Sequence, residues 1–541
     1  MKNKSITMAI IISIICLNFM MCNNNPNPTE RTYEPISTYS DEIIKYDMDY
    51  GNDEKVYDKE YSKSLLNQIE NAKKDKKYTI DAPLIINNPF NTNTLGLYIF
   101  FESDELCRVE YNIHVDNEAI NDFHKSLYNS NKEFSKVHEY QIIGIVPDKL
   151  NEVTLTLYNK KNIPFGSKNF NYFGPKVSPD ADVHLKKEVG PSSNQLSDGL
   201  FATLGHVNSK GPYSYYYDND GIIRGEIRVG DYRIDRILFK DNLMYISVDK
   251  NKIVSLNNLG YIEEVYDLGS YEMHHDYIFS KDKKYLLVLA SDTNSDSIED
   301  RIISVNLKNK DIKEIVDLGT LLPDIKERAI VAEGKSKLDW IHINSLELQE
   351  DNELLISSRE LSTIIKIDDI FSNPKLDYLI ADKRLWQDTK YEKYLLEQKG
   401  DFKIQYGQHC LELDKDETFE DDEYVLSLYD NNTGVSSSYP SYDWSNIDGI
   451  ETTSKYYKYL INEDEKTFSL IEKIYVPASR YISSIQHYKN NLIVDSGQDY
   501  IFSEFDQDNN LIARFYIDQE MWGLYRCFKY DFNDFYFSLD V

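Results

Sequence analysis

Four short polar segments in the second half of the chain combine residue types that do covalent chemistry. They are His274-His275-Asp276, Asp339-Trp340-Ile341-His342-Ile343-Asn344-Ser345, Ser357-Ser358-Arg359 and Gly407-Gln408-His409. The chain has only 10 histidines, and four of them fall in these segments, which sets them apart from isolated interior or surface histidines. An imidazole titrates near pH ~6.5, so it is available as a neutral nucleophile and leaves again readily. A guanidinium holds oxyanions in a planar fork. A second imidazole moves the proton of a departing or arriving hydroxyl. Three imidazoles and one arginine meet these needs without any cofactor. Zinc binding is the competing reading, since histidines from different strands form a ligand set. Against it, no Asp/Glu-rich ligand set accompanies them in the sequence, and Arg359 would oppose a cation, so no metal is expected. Other chemistries lack their motifs. No Gly-x-Ser-x-Gly occurs, and the nearest approach to a phosphate loop, residues 329–336, has Ala329 where the cradling glycine belongs.

Each segment sits at the edge of an apolar run that reads as a strand. From about residue 197 onward a loose repeat appears, in which a turn rich in Asp, Asn or Lys precedes four to six apolar residues, a second turn and another strand. Residues 243–247 with 252–256, 284–289 with 301–305, 353–357 with 364–367, and 490–494 with 500–504 are examples. Successive hairpins of a β-propeller blade read this way, and about 345 residues at roughly 40–60 per blade make six blades. The innermost strands of such a disc line a central channel, where side chains from different blades converge. On this pattern 354–358 is an inner strand with Arg359 at its end. Residues 368–403, with Trp386 and a helical stretch near 391–397, read as an insertion or lid on one face.

Upstream, apolar runs at 95–102, 107–115, 137–146 and 152–158 are separated by charged turns and suggest a small antiparallel sandwich over residues 81–185. Glycines and prolines between 163 and 196 mark the boundary. The expected fold class is therefore all-β, a six-bladed β-propeller (197–541) preceded by a small N-terminal β-sandwich domain. Residues 23–80 are polar, with one helix expected near 57–74.

The chain begins with Lys2 and Lys4, an apolar stretch from Ile6 to Leu17, and Met20-Met21-Cys22 followed by Asn and Pro residues. This reads as a lipoprotein-type signal over residues 1–22 with Cys22 as the lipidated residue. It implies a bacterial cell-envelope location, periplasmic or outer-surface, with the membrane met only through the anchor. Met21 departs from the small residue usual before such a cysteine. Cys107, Cys410 and Cys527 remain, an odd number that allows one disulfide at most. With 91 acidic against 60 basic residues, the net charge of −31 repels phosphate backbones, so no nucleic-acid partner is expected.

The order and wording of the four segments resemble the bacterial arylsulfotransferase (aryl-sulfate sulfotransferase) family, which moves a sulfuryl group between phenols without a nucleotide donor. The likeness runs from about residue 80 to the C-terminus, including residues 138–157 and Leu524-Tyr525-Arg526-Cys527. It implies a ping-pong transferase in which His409 becomes a sulfohistidine. It also implies that His342 contacts the sulfate and phenol oxygen, that Arg359 binds the sulfonate, and that the His274-His275 pair contributes, with His275 preferred over His274. Asn344 and Tyr or Trp side chains would line the phenol slot. The partners implied are a phenolic sulfate donor and a phenol acceptor, with no cofactor, and the N-terminal module would support a homodimer. A non-catalytic binding propeller and an aryl-sulfate hydrolase are the alternatives.

Overall fold

Alternation of short apolar runs with polar turns produces six antiparallel sheets around a common axis, a six-bladed propeller, with an N-terminal sandwich docked on its side. The computed structural model describes residues 44–538 except 52–54, 130–132, 178–180, 206–212, 351, 415–421, 443–452 and 519–522. The signal segment and Cys22 lie outside these residues. Among the described residues no helix is long and apolar enough to cross a membrane.

The third blade runs outward through Tyr271–Phe279, Tyr285–Asp292, Arg301–Asn306 and Ile312–Asp317, and the fourth through Ile343–Glu350, Glu353–Ser358, Thr363–Asp368 and Lys375–Ile380. The fifth blade starts at His409–Asp414, the sixth at Ser484–Tyr488 and the second at Leu238–Lys240. The first blade takes its innermost strand, Arg526–Tyr530, from the far end of the chain, paired with Leu200–Leu204. Lys186–Val189 in turn forms the outer edge of the sixth blade against Leu511–Tyr516. The ring is thus closed by segments from both ends of the domain.

The strand pairs most visible in the sequence are the second and third strands of their blades, not the inner ones. Glu353–Ser358 is a second strand, and the inner strand of its blade is Ile343–Glu350. Second and third strands are covered by neighbouring blades on both faces, so they read as unbroken apolar runs. Leu354, Leu355, Ile356, Ile364, Ile365 and Ile367 are all fully buried. The segment 368–403 is also not the expected insertion. Lys375–Ile380 completes the fourth blade, and Glu397–Lys399 adds a parallel edge strand to the fifth. The helical stretch expected near 391–397 is a single 3-10 turn, Glu392–Tyr394.

In the N-terminal domain the two runs 95–102 and 107–115 are one strand, Leu97–His114. Its first half pairs with Leu84–Asn87 and Ser135–Ile142, and its second with Phe123–Ser126 and Leu150–Tyr158. A register shift between Glu102 and Cys107 bends it from one layer into the other. The helix Lys59–Asp75, capped by Asp58 accepting from the Tyr61 amide, buries Leu65, Ile69 and Ala72. It also reaches the second blade, where Ser62 Oγ accepts from the Ile262 amide at 3.0 Å.

Candidate active site

The histidines reach one mouth of the channel through a repeated backbone device. His275 (φ 61°), His342 (φ 47°) and Cys410 (φ 52°) are left-handed, a conformation rare outside glycine. His275 and Cys410 lie where the inner strands of their blades slip register, between Met273 and Tyr277 and between His409 and Glu412, and His342 immediately precedes its inner strand, which slips between Ile343 and Ser345. A bulge re-aims side chains out of the pleat, and here it turns an imidazole from each of three neighbouring blades toward the axis. Gly407, before the third of these, has φ 62°, and an added Cβ would stand 3.1 Å from the Thr433 backbone carbonyl. Only glycine fits there. Gln408 anchors the same turn, donating through Nε2 to Ser357 Oγ, Ser358 O and Thr363 O, each at 3.1 Å.

His275 and His342 meet with their Nε2 atoms 3.1 Å apart. Glu299 reaches both, with Oε2 at 3.2 Å from His275 Nε2 and 2.6 Å from His342 Nδ1. Asp339 Oδ2 takes a second contact at 2.7 Å with His342 Nδ1. Burial and Arg359 oppose a proton on His342, but Asp339 and Glu299 outweigh them and push its pKa up to about 9. Burial, aided by Arg233 and His342, holds His275 well below the ordinary histidine value. Arg233 Nη2 donates to His275 Nδ1 at 2.9 Å, and the Tyr525 hydroxyl lies 2.8 Å from the same nitrogen. Arg359 hangs over the mouth from the end of the second strand. Its amide donates to the His342 carbonyl at 3.1 Å, and its Nη2 pairs with Glu360 at 2.6 Å. Tyr481, 42% exposed, places its ring 5.9 Å from the Arg359 guanidinium.

The tautomer of His409 follows from its neighbours. Asn431 Nδ2 donates to the Ser479 and Ile482 carbonyls at 2.7 and 2.9 Å, so its Oδ1 faces His409 Nδ1 at 2.7 Å. The Gly407 carbonyl lies 3.2 Å from the same nitrogen. Two acceptors require the proton on Nδ1, which leaves the Nε2 lone pair unprotonated. Burial, reinforced by the charges of Arg359, His342 and Arg526, pushes the pKa of His409 down to about 3. It is a neutral imidazole across the physiological range.

The other expected residues are placed differently. His274 is buried, and neither ring nitrogen has a hydrogen-bond partner in bonding geometry; the Ala290 backbone favours a proton on the ring, and burial outweighs it, holding the pKa below the ordinary histidine value. Asn344 is fully buried, with Nδ2 donating to the Gln408 carbonyl at 2.8 Å. Trp340 does not line a slot. It is fully buried, and its indole donates to Asp300 at 2.9 Å. Cys410 and the other described cysteines are free and buried, and burial raises the Cys410 thiol to about 11. Below the histidines, Asp276 pairs with Arg526 at 2.9 Å and with Arg236 at 3.0 Å, and Arg526 donates to the Asn344 carbonyl at 3.2 Å. This buried layer closes the channel. Beyond it, at the opposite mouth, open cavities of about 170 and 860 Å³, both lined by Arg236, Glu347 and Glu412.

The family model for "Arylsulfotransferase (ASST)" matches residues 185–520, and that for the "Arylsulfotransferase Ig-like domain" matches 84–167. The chain belongs to the arylsulfotransferase family. The matches span both domains of this arylsulfotransferase family member, and the family's general chemistry is aryl sulfotransfer by a transferase acting on phenolic sulfates and phenols. No curated protein matches. Similar solved structures include a putative 6-phosphogluconolactonase from Bacteroides uniformis (8% identity, 77% of this chain and 97% of that one, TM-score 0.34). An auxiliary nutrient binding protein from Bacteroides thetaiotaomicron (8%, 78% and 93%, 0.33) and a functionally unknown protein from Desulfotomaculum acetoxidans (8%, 61% and 99%, 0.36) are also similar. At such distances they bear on neither fold detail nor activity.

Sequence reasoning missed Glu299, Arg233 and Asn431. The expectation that no acidic ligand set accompanies the histidines is overturned. Among the described residues, His274, His275 and Glu299, and separately Glu299, Asp339 and His342, present ligand atoms within 4.8 Å of one another. The only signal for Glu299 was an acidic residue just before a strand, which is how an ordinary turn reads.

Proposed function

We propose that this arylsulfotransferase moves a sulfuryl group from a phenolic sulfate ester to a phenol through a sulfohistidine on His409. The observation that carries the reading is the fixed Nδ1 proton of His409, which leaves Nε2 as a neutral nucleophile beside cationic groups. In the first half, His409 Nε2 bonds to sulfur, the sulfur–oxygen bond to the phenol breaks, and His342 protonates the departing phenolate. Arg359 holds the sulfuryl oxygens, as does His342, with His275 at its back. In the second half, His342 takes the proton of the acceptor phenol, whose oxygen displaces His409 from sulfur. Nothing is consumed, because each step's proton is returned by the other. We also assign Cys22 as the lipid anchor of an envelope protein, which predicts that Cys22→Ala moves the chain from the membrane to the soluble fraction.

The test is release of 4-nitrophenol from 4-nitrophenyl sulfate with and without added phenol, paired with covalent labelling. Release that rises with phenol, and labelling lost in His409→Ala, are expected. Labelling that persists in that variant overturns the assignment. Release indifferent to phenol favours a hydrolase instead, and no release with any acceptor favours a binding propeller.

A further inference from the structure

We propose that His274, His275 and Glu299 form a binding site for one borderline divalent transition ion of the zinc class. These side chains offer two imidazole nitrogens and one carboxylate oxygen, all within 4.8 Å of one another and largely buried. Two nitrogens and an oxygen suit zinc or cobalt, whose bonds of about 2.0–2.2 Å draw the three ligand atoms inward. An independent observation points the same way. His274 is 95% buried, since only 5% of its surface is exposed, and both its ring nitrogens lack hydrogen-bond partners. An imidazole buried without a partner is costly, and an ion between it, His275 and Glu299 supplies that partner. His275 is already engaged at both nitrogens, and so is His342 Nδ1 in the alternative set of Glu299, Asp339 and His342; the favoured set differs in holding His274, whose nitrogens are not.

Charge balance gives the ion a role. Around the site Arg233 is matched by Asp235 at 2.5 Å, Arg359 by Glu360 at 2.6 Å, and His342, even when protonated, by Asp339 at 2.7 Å. Glu299 is then the surplus charge, and it stands where an anionic sulfate ester must approach. A divalent ion on Glu299 converts that surplus to a net positive field, which favours an anion. Occupancy puts the His275 proton on Nδ1, donated to the Tyr525 hydroxyl 2.8 Å away, and turns Arg233 Nη2 off that nitrogen. The guanidinium already lies 4.0 Å from the Tyr525 ring centroid, which receives it. His342 keeps its contact with Glu299 from outside the coordination shell. The site stands on its own ligands; its service to anion binding rests on the sulfuryl-transfer reading.

The test strips the whole purified chain with a chelator, reloads it with Co²⁺, and reads the visible absorption of bound cobalt together with metal content. One ion per chain, displaced by Zn²⁺, is expected. His274→Ala and the isosteric Glu299→Gln should each weaken Co²⁺ binding by about tenfold or more, with circular dichroism checking that each variant is folded. No cobalt spectrum with substoichiometric metal, or binding unchanged in folded Glu299→Gln, overturns the proposal. Turnover of 4-nitrophenyl sulfate is a separate arm. A stoichiometric cobalt site in a protein that never labels His409 keeps the metal site and rejects the transfer reading. Labelling and full turnover in stripped protein that binds no cobalt does the reverse.

Discussion

At the residue scale the chemistry turns on which nitrogen of His409 carries the proton. Asn431 decides it, because its own amide is committed to two carbonyls and only its oxygen is left for the imidazole. With a pKa near 3, His409 stays neutral from pH 5 to 8, so the acid limb of the rate profile for enzyme labelling should not come from the nucleophile. Asn431→Asp places a carboxylate on Nδ1, which favours the protonated ring and raises its pKa by about a unit or more. A rise of that size still leaves the ring neutral above pH 5, so the variant should lose activity through the nucleophile only below pH 5, read as the pH dependence of the first-turnover burst from 4-nitrophenyl sulfate. Asn431→Ala frees the tautomer and should slow that burst on the order of 10–100-fold, with a lowered melting temperature because the Ser479 and Ile482 carbonyls lose their donor.

At the scale of elements the site depends on bulged inner strands and on the ionic layer beneath them. Removing Asp276 with Asp276→Ala leaves Arg236 and Arg526 buried without their shared carboxylate. Breaking a buried pair in this way costs about 3–5 kcal/mol, which a urea titration of the variant measures directly. The same elements show how far the sequence could be read. Residues 339–359 were legible as a motif because side-chain identity carries chemistry even where the local fold is misassigned. The inner strands were not legible, because Tyr271–Phe279 and Ile343–Glu350 mix channel-facing polar residues with apolar ones and lose the simple period. Arg359 was therefore attached to the right strand, but that strand was read as the inner one of its blade when it is the second. Leu97–His114 read as two strands because its exposed middle, from Glu102 to Leu106, looks like a turn.

For the whole molecule, ring closure is the property that local pattern could not reveal. Arg526–Tyr530 lies over 300 residues from its partner Leu200–Leu204, so no window of sequence contains the pair. Lys529, fully buried, pairs there with Glu504 of the sixth blade at 2.8 Å. The segment beyond it packs between domains, with Phe537 against Phe123 and the Tyr128 amide donating to the Tyr536 carbonyl at 3.2 Å. A chain truncated after residue 523 loses the innermost strand of one blade, the Arg526 layer and that interdomain wedge together. The loss exceeds a typical margin of about 5–15 kcal/mol, and the truncated protein should show no cooperative thermal transition by circular dichroism.

The closed layer of Asp276, Arg236 and Arg526 also governs traffic. With the channel sealed beneath the histidines, whatever enters at the His409 mouth must leave by the same opening. A spent phenol has to depart before the next can take its place, and donor and acceptor contend for one vestibule. Initial-rate plots should therefore show each substrate inhibiting at high concentration, relieved by raising the other. Separate binding sites for donor and acceptor would give no such mutual competition.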